Sequence, residues 1–220
     1  MAAENNNCVV LSFNDSLIHQ SDVDLLDGPF WINDNLISFC FEYFEKEQFS
    51  HSADKLALIS PDVVQFIKLA PDDDLGEFLK PLNLPSKEFV FLPVNDNQVK
   101  TQAGGTHWSL LVYVRNKQEF RHYDSMDCSN KDIAKTLAYK LQPYVQAPRG
   151  RMKVLEVDSP KQKNSYDCGV YVISIAEHLC KELCEGYNIP LNDLVNAESV
   201  LKKRSQIKDL IFHVAEEFGT

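Results

Sequence analysis

Three runs in the middle of the chain, EFVFLPV (88–94), HWSLLVYV (107–114) and EFRHYDS (119–125), are rich in aromatic and β-branched residues. Runs of that length and composition read as strands. A further strand, MKVLEV, is expected at 152–157, and a short β-like piece opens the chain. The sequence on either side has a helical period. WINDNLISFCFEYFEKE places apolar residues at 36, 37, 40, 41 and 44, with Asn33 or Asp34 able to cap the helix. SPDVVQFIKLA offers Ser60 as N-cap and Pro61 at the first helical position. Helices are also expected at 72–79, over KDIAKTLAYKLQPYV, from Gly169 to about Leu183, and as an amphipathic C-terminal helix over roughly 198–218. A small sheet flanked by helices, of class α+β, is the architecture these runs imply.

At 220 residues the chain is expected to form one domain, 1–220, large enough to bury a sizeable core. A formal net charge of −10 argues against nucleic acid as a primary partner, because phosphate binding needs concentrated Lys and Arg. The one basic run, Lys202-Lys203-Arg204, reads as a solvated helix face. MAAENNNCVVL has no basic n-region, and its apolar piece is too short for a signal peptide or a span. The expectation is an intracellular protein, cytoplasmic or nuclear or both, with no membrane partner. Its six cysteines should then be reduced, and none of their spacings suits zinc, so no metal site is expected. Cys180 and Cys184, four apart, are most simply core residues on one helix face.

His107 stands at the start of the second central run, where a titratable group needs a reason. If that run and the next form a hairpin, a two-residue loop puts His107 directly opposite Asp124. A four-residue loop puts it opposite Met126. In either register the two side chains share a face within a few ångströms, and an Asp beside an imidazole fixes its tautomer and stabilises its cation. An ordinary cross-strand polar pair would look the same. Cys168 falls where the turn-like NSYD becomes an apolar helix. Oriented N–H groups and the helix dipole favour a thiolate there, and a neighbouring imidazolium would favour it further. Gly169 is expected to clear space beside the sulfur for a substrate carbonyl.

Together, GTHWSLLVY, HYDS and QKNSYDCGVY resemble the three catalytic blocks of the Ulp/sentrin-specific cysteine proteases, in that family's His, Asp, Cys order. WIND (31–34) resembles its tryptophan motif, with Ile where Leu is commoner. LSFNDSLIHQSDVDLLDGPFWIND, NDN (95–97), AGGTHWSLLVY and NSYDCG are closest in flavour to the small deneddylase branch. The resemblance implies a papain-like fold and a cofactor-free thiol protease acting on ubiquitin-like modifiers. It implies Cys168 as nucleophile, His107 as general base, Asp124 as the residue orienting the imidazole, and Gln162 as the oxyanion-hole amide. It makes Trp31 and Trp108 the walls of a channel for a Gly-Gly tail, although Trp31 also suits a large core residue. Asp34 has two readings, a partner for an arginine of the tail or a helix cap. By the same analogy the loop 94–105 is mobile and ordered by substrate. The expected partner is a neddylation-type modifier and its conjugates, met by a monomer. A SUMO-specific protease and a non-catalytic module binding ubiquitin-like proteins are the alternatives.

Overall fold

A computed structural model describes residues 7–99, 104–147 and 153–218. The chain begins with a hairpin, β1 (Val9–Phe13) and β2 (Ser16–His19), followed by α1 (Gln20–Asp24) and α2 (Asp34–Tyr43). A three-residue strand β3 (Leu56–Leu58) precedes α3 (Pro61–Leu69) and α4 (Leu75–Leu79). The centre holds β4 (Phe89–Asn95), β5 (Trp108–Val114) and β6 (Glu119–Tyr123). After them come α5 (Lys131–Leu141), β7 (Lys153–Val157) and α6 (Cys168–Glu185). The short α7 (Leu191–Leu194) and the long α8 (Ala197–Phe218) complete the chain. Strands β3 to β7 form one mixed sheet in that order, parallel at its two edges and antiparallel at its centre. The α+β expectation holds.

Both faces of the sheet are covered, which is why its central strands read as nearly continuous apolar runs. Phe89 and Phe91 of β4 join Leu110, Val112 and Val114 of β5 in the core under α2, α6 and α8. The alternate residues Val90, Leu92, Val94, Leu111 and Tyr113 point into a second core under α3, α4 and α5. Pro93 is tolerated inside β4 because of where β3 ends. The Phe91 carbonyl accepts from Ile59 N–H, so Pro93, two residues on, faces the same edge just beyond the last paired residue, Leu58.

Several boundaries differ from the sequence reading. The helix expected at 72–79 is a 3₁₀ turn (Asp72–Asp74) leading into α4. The helix over 131–145 stops at Leu141, shortly before Pro143. Of the strand expected at 152–157, Met152 lies outside the described residues, as do residues 100–103 of the 94–105 loop. Asn33 is the cap of α2, accepting from Leu36 N–H at 3.2 Å, and Asp34 is the first helical residue. Ser60 occupies the cap position of α3 but makes no capping hydrogen bond.

The solvated-face reading of Lys202-Lys203-Arg204 is wrong for two of the three residues. Consecutive residues are about 100° apart around a helix, so three in a row cannot share one face. Lys202 is exposed, Lys203 pairs with Glu177 of α6, and Arg204 is only 4% exposed, because α8 packs on α6 and β1. No helix among the described residues is long and apolar enough to cross a membrane.

Candidate active site

The structure brings the ends of β5, β6 and α6 together. His107 sits one residue before β5 and Asp124 one residue after β6. The pairing Val114↔Glu119 selects the four-residue loop, and continuing it past Leu110↔Tyr123 sets His107 against Met126 and Asp124 against Ser109. His107 Nε2 lies 2.7 Å from Asp124 Oδ1, a diagonal approach across the strand ends. Both are almost fully buried, as is Cys168 at the first position of α6.

Burial by itself would push the His107 imidazole toward neutrality. The Asp124 hydrogen bond, the neighbouring Cys168 sulfur and both groups' negative charges outweigh it and raise its pKa to about 9. Nδ1, the other ring nitrogen, is buried and has no hydrogen bond of ordinary geometry among the described residues, so nothing competes with Cys168 for it. Burial likewise opposes ionisation of Asp124. Its carboxylate is nevertheless held near 2 by His107 and by two backbone donors, Met126 N–H to Oδ1 at 2.8 Å and Asn130 N–H to Oδ2 at 3.0 Å. The pair is thus built as imidazolium against carboxylate.

Asn130 was not legible in the sequence. Besides supporting Asp124, its Nδ2 donates toward the Val94 and His107 carbonyls and to Ser109 Oγ, at 3.1 to 3.3 Å. Asp96 is a second such residue. Its Oδ1 accepts from Thr106 N–H at 2.6 Å and His107 N–H at 3.1 Å, and its Oδ2 from Thr106 Oγ1 at 2.6 Å. Gly105 makes this turn possible at φ +95°, where a Cβ would meet Asn95 Oδ1 at 1.9 Å. The NDN run hinted at this loop, but only the folded turn aims the Asp96 carboxylate at the base of the His107 strand.

Gln162 stands beside Asp124 through Ser125. Its backbone N–H donates to the Ser125 carbonyl at 3.1 Å, and its Oε1 accepts from Ser125 Oγ at 2.6 Å. Its Nε2 gives one proton to the Asn164 carbonyl at 2.6 Å, which leaves the second amide proton to donate elsewhere.

A cleft of about 530 Å³ is lined by Cys168 and His107. Trp31 and Trp108 line it too, and so do Asp34 and Asp62. Trp31 is 48% exposed, not a core residue, and its Nε1 donates to the Ser165 carbonyl at 2.7 Å. Trp108 is half-buried against the core. Burial raises the Asp62 pKa, and the charge of Asp34 adds to the shift, so the two carboxylates share this end of the cleft. Gly169 has a different job from the one expected. A Cβ there would lie 2.5 Å from Ile32 Cγ1 and 3.4 Å from Trp108 Cδ1, so the missing side chain admits the Trp31-Ile32 segment, not a substrate.

The family model described as the Ulp1 protease family, C-terminal catalytic domain, matches residues 31–209. The human protein Sentrin-specific protease 8 is 46% identical over 210 residues, covering 95% of this chain and 99% of its own length. NEDD8-specific protease 1 of Arabidopsis thaliana is 36% identical over 210 residues, covering 94% and 89%. Among solved structures, the C-terminal Ulp1 protease domain in complex with SMT3, the yeast ortholog of SUMO, superposes with a TM-score of 0.74. It covers 97% of this chain and 90% of that one at 21% identity, which bears on the fold alone. By the match across 31–209 and by these identities, the chain belongs to the Ulp1 family of cysteine proteases.

Proposed function

We propose that this cysteine protease acts on a NEDD8-type modifier as a single catalytic domain and a monomer, cleaving after the modifier's C-terminal Gly-Gly. Precursor processing and release from lysine isopeptides are the two reactions. The observation that carries the reading is the cleft itself: Cys168 and His107, the latter held by Asp124, line it together with two indoles. Flat rings leave room for a backbone without side chains and reject bulkier residues. The names of the relatives, specific for NEDD8 in the plant protein, support the choice of modifier.

In this reading the Cys168 thiolate attacks the carbonyl of the second glycine, and the developing oxyanion is met by the Cys168 N–H and the spare Gln162 amide proton. His107 passes its proton to the leaving amine. Water, deprotonated by His107, then hydrolyses the thioester. Asp124 keeps the imidazole aligned throughout. Asp34, with Asp62 beside it, receives a cationic side chain of the tail.

The test is kcat/KM on NEDD8, ubiquitin and a SUMO-type modifier, each carrying a C-terminal reporter. A preference of roughly 10³-fold for NEDD8 over ubiquitin is expected. Preference for the SUMO-type substrate would overturn the choice of modifier, and binding without covalent capture by an electrophilic modifier probe would favour a non-catalytic binding module.

A further inference from the structure

We propose that Arg204, on the C-terminal helix far from Cys168 in sequence, is a positioning residue that locks the Trp31 wall and the nucleophile helix into one register. Its guanidinium is buried, and all three of its nitrogens donate. Nε and Nη2 donate to Asp167 Oδ1 at 2.8 and 2.7 Å, Nη1 to the Leu25 carbonyl at 2.9 Å, and Nη2 to the Phe30 carbonyl at 2.8 Å. The same group lies 5.6 Å over the ring of Tyr166. Phe30 immediately precedes Trp31, and Asp167 immediately precedes Cys168. Trp31 closes the circuit from its other end, through Nε1 to the Ser165 carbonyl.

The consequence for the site is specific. Asp167 occupies the cap position of α6 yet makes no capping hydrogen bond to it. Its Oδ1 is committed to Arg204 and its Oδ2 to Asn164 Nδ2 at 2.7 Å. The carboxylate that would ordinarily take up the first-turn N–H groups is drawn away from them, so they stay available beside the sulfur. Asn164 in turn accepts from Gln162 Nε2 through its carbonyl, so the held segment runs on to Gln162. That last step rests on the oxyanion role proposed above, whereas the coupling of Trp31 to the helix does not. Lysine cannot replace this group, because an ammonium lacks the planar fork that reaches a carboxylate and two carbonyls at once.

The test uses the full chain with Arg204→Lys. In a Trp108→Phe background Trp31 is the sole tryptophan, so its emission and anisotropy report the wall without any substrate. Arg204→Lys is expected to keep wild-type far-ultraviolet circular dichroism, to lower the Trp31 anisotropy, and to raise KM about tenfold or more on the reporter conjugate. Its effect on kcat/KM should overlap with that of Trp31→Phe, so that the double variant loses much less than the product of the single losses. Asp167→Asn, which keeps shape and an acceptor oxygen, carries the same readouts if the lysine variant does not fold. Unchanged Trp31 anisotropy and KM in a folded variant, with only the melting temperature lowered, would overturn the proposal. Failure to cleave NEDD8 would instead count against the functional reading and leave the fluorescence result standing.

Discussion

Asp124 Oδ1 lies 2.7 Å from His107 Nε2 although the two residues are not opposite one another in the sheet. The diagonal contact works because both residues sit just beyond their strands, where backbone donors from Met126 and Asn130 aim the carboxylate across the register. Replacing Asp124 with Asn should remove the charge that raises the imidazole. Activity is expected to fall by at least about 10²-fold, the lower range for one proton-transfer group. The basic limb of kcat/KM, expected near pH 9 in the wild type, should move down toward the ordinary histidine range. A pH–rate profile for both proteins checks this. Because the folded His107 pKa is raised, its contribution to stability is complete below about pH 6.5 and is lost as pH rises through about 9.

Cys168→Ala should abolish turnover and leave modifier affinity nearly unchanged, since the buried thiol offers the substrate little contact area. Calorimetric binding beside a turnover assay separates the two. Cys180→Ala should do the reverse, leaving activity and lowering stability, because Cys180 is fully buried in the core and burial pushes its thiol well above the usual range.

Gln162→Ala is expected to lower kcat by about 10²–10³ with little change in KM, the usual effect of removing one oxyanion donor. Ser125→Ala, which frees Gln162 Oε1, should lower kcat less and in the same direction. A rise in KM with kcat preserved would make Gln162 a binding residue.

Gly169→Ala tests the packing role found for this glycine. The added methyl meets Ile32 and Trp108, so a stability loss of about 1–3 kcal/mol is expected together with a raised KM. Thermal melts and steady-state kinetics read both. If the substrate carbonyl, and not Ile32, fills that space, kcat should collapse while stability holds.

Asn130→Ala removes a buried side-chain donor from Ser109 Oγ and from the Val94 and His107 carbonyls, and because Asp96 N–H still reaches the His107 carbonyl the cost should be only about 0.5–1.5 kcal/mol. The backbone N–H that supports Asp124 survives the change, so kcat should fall less than in Asp124→Asn. Equal losses in the two variants would contradict this division of roles.

The sequence by itself determined the strands of the sheet centre and the main helices, and singled out His107, Asp124 and Cys168 as candidates. Apolar period and residue type are local properties, and local physics reads them. It could not choose between a two- and a four-residue loop after Val114. That choice lies with Arg115, whose guanidinium is held by the Lys87, Leu84 and Val145 carbonyls, and with Gln118, which closes the turn at φ 51°. Strand β3 is too short to show a period, and exists because β4 offers it an edge. Asn130, Asp96 and Ser125 are ordinary polar residues until folding turns their donors and acceptors toward Asp124, His107 and Gln162. Arg204 was hidden most completely. A basic run looks like surface, and only the packing of α8 against α6 and β1 buries one member of it against a carboxylate far away in the chain. Which polar groups meet in a low-dielectric interior is set by tertiary packing, because a buried charge is stable only where its partner already stands.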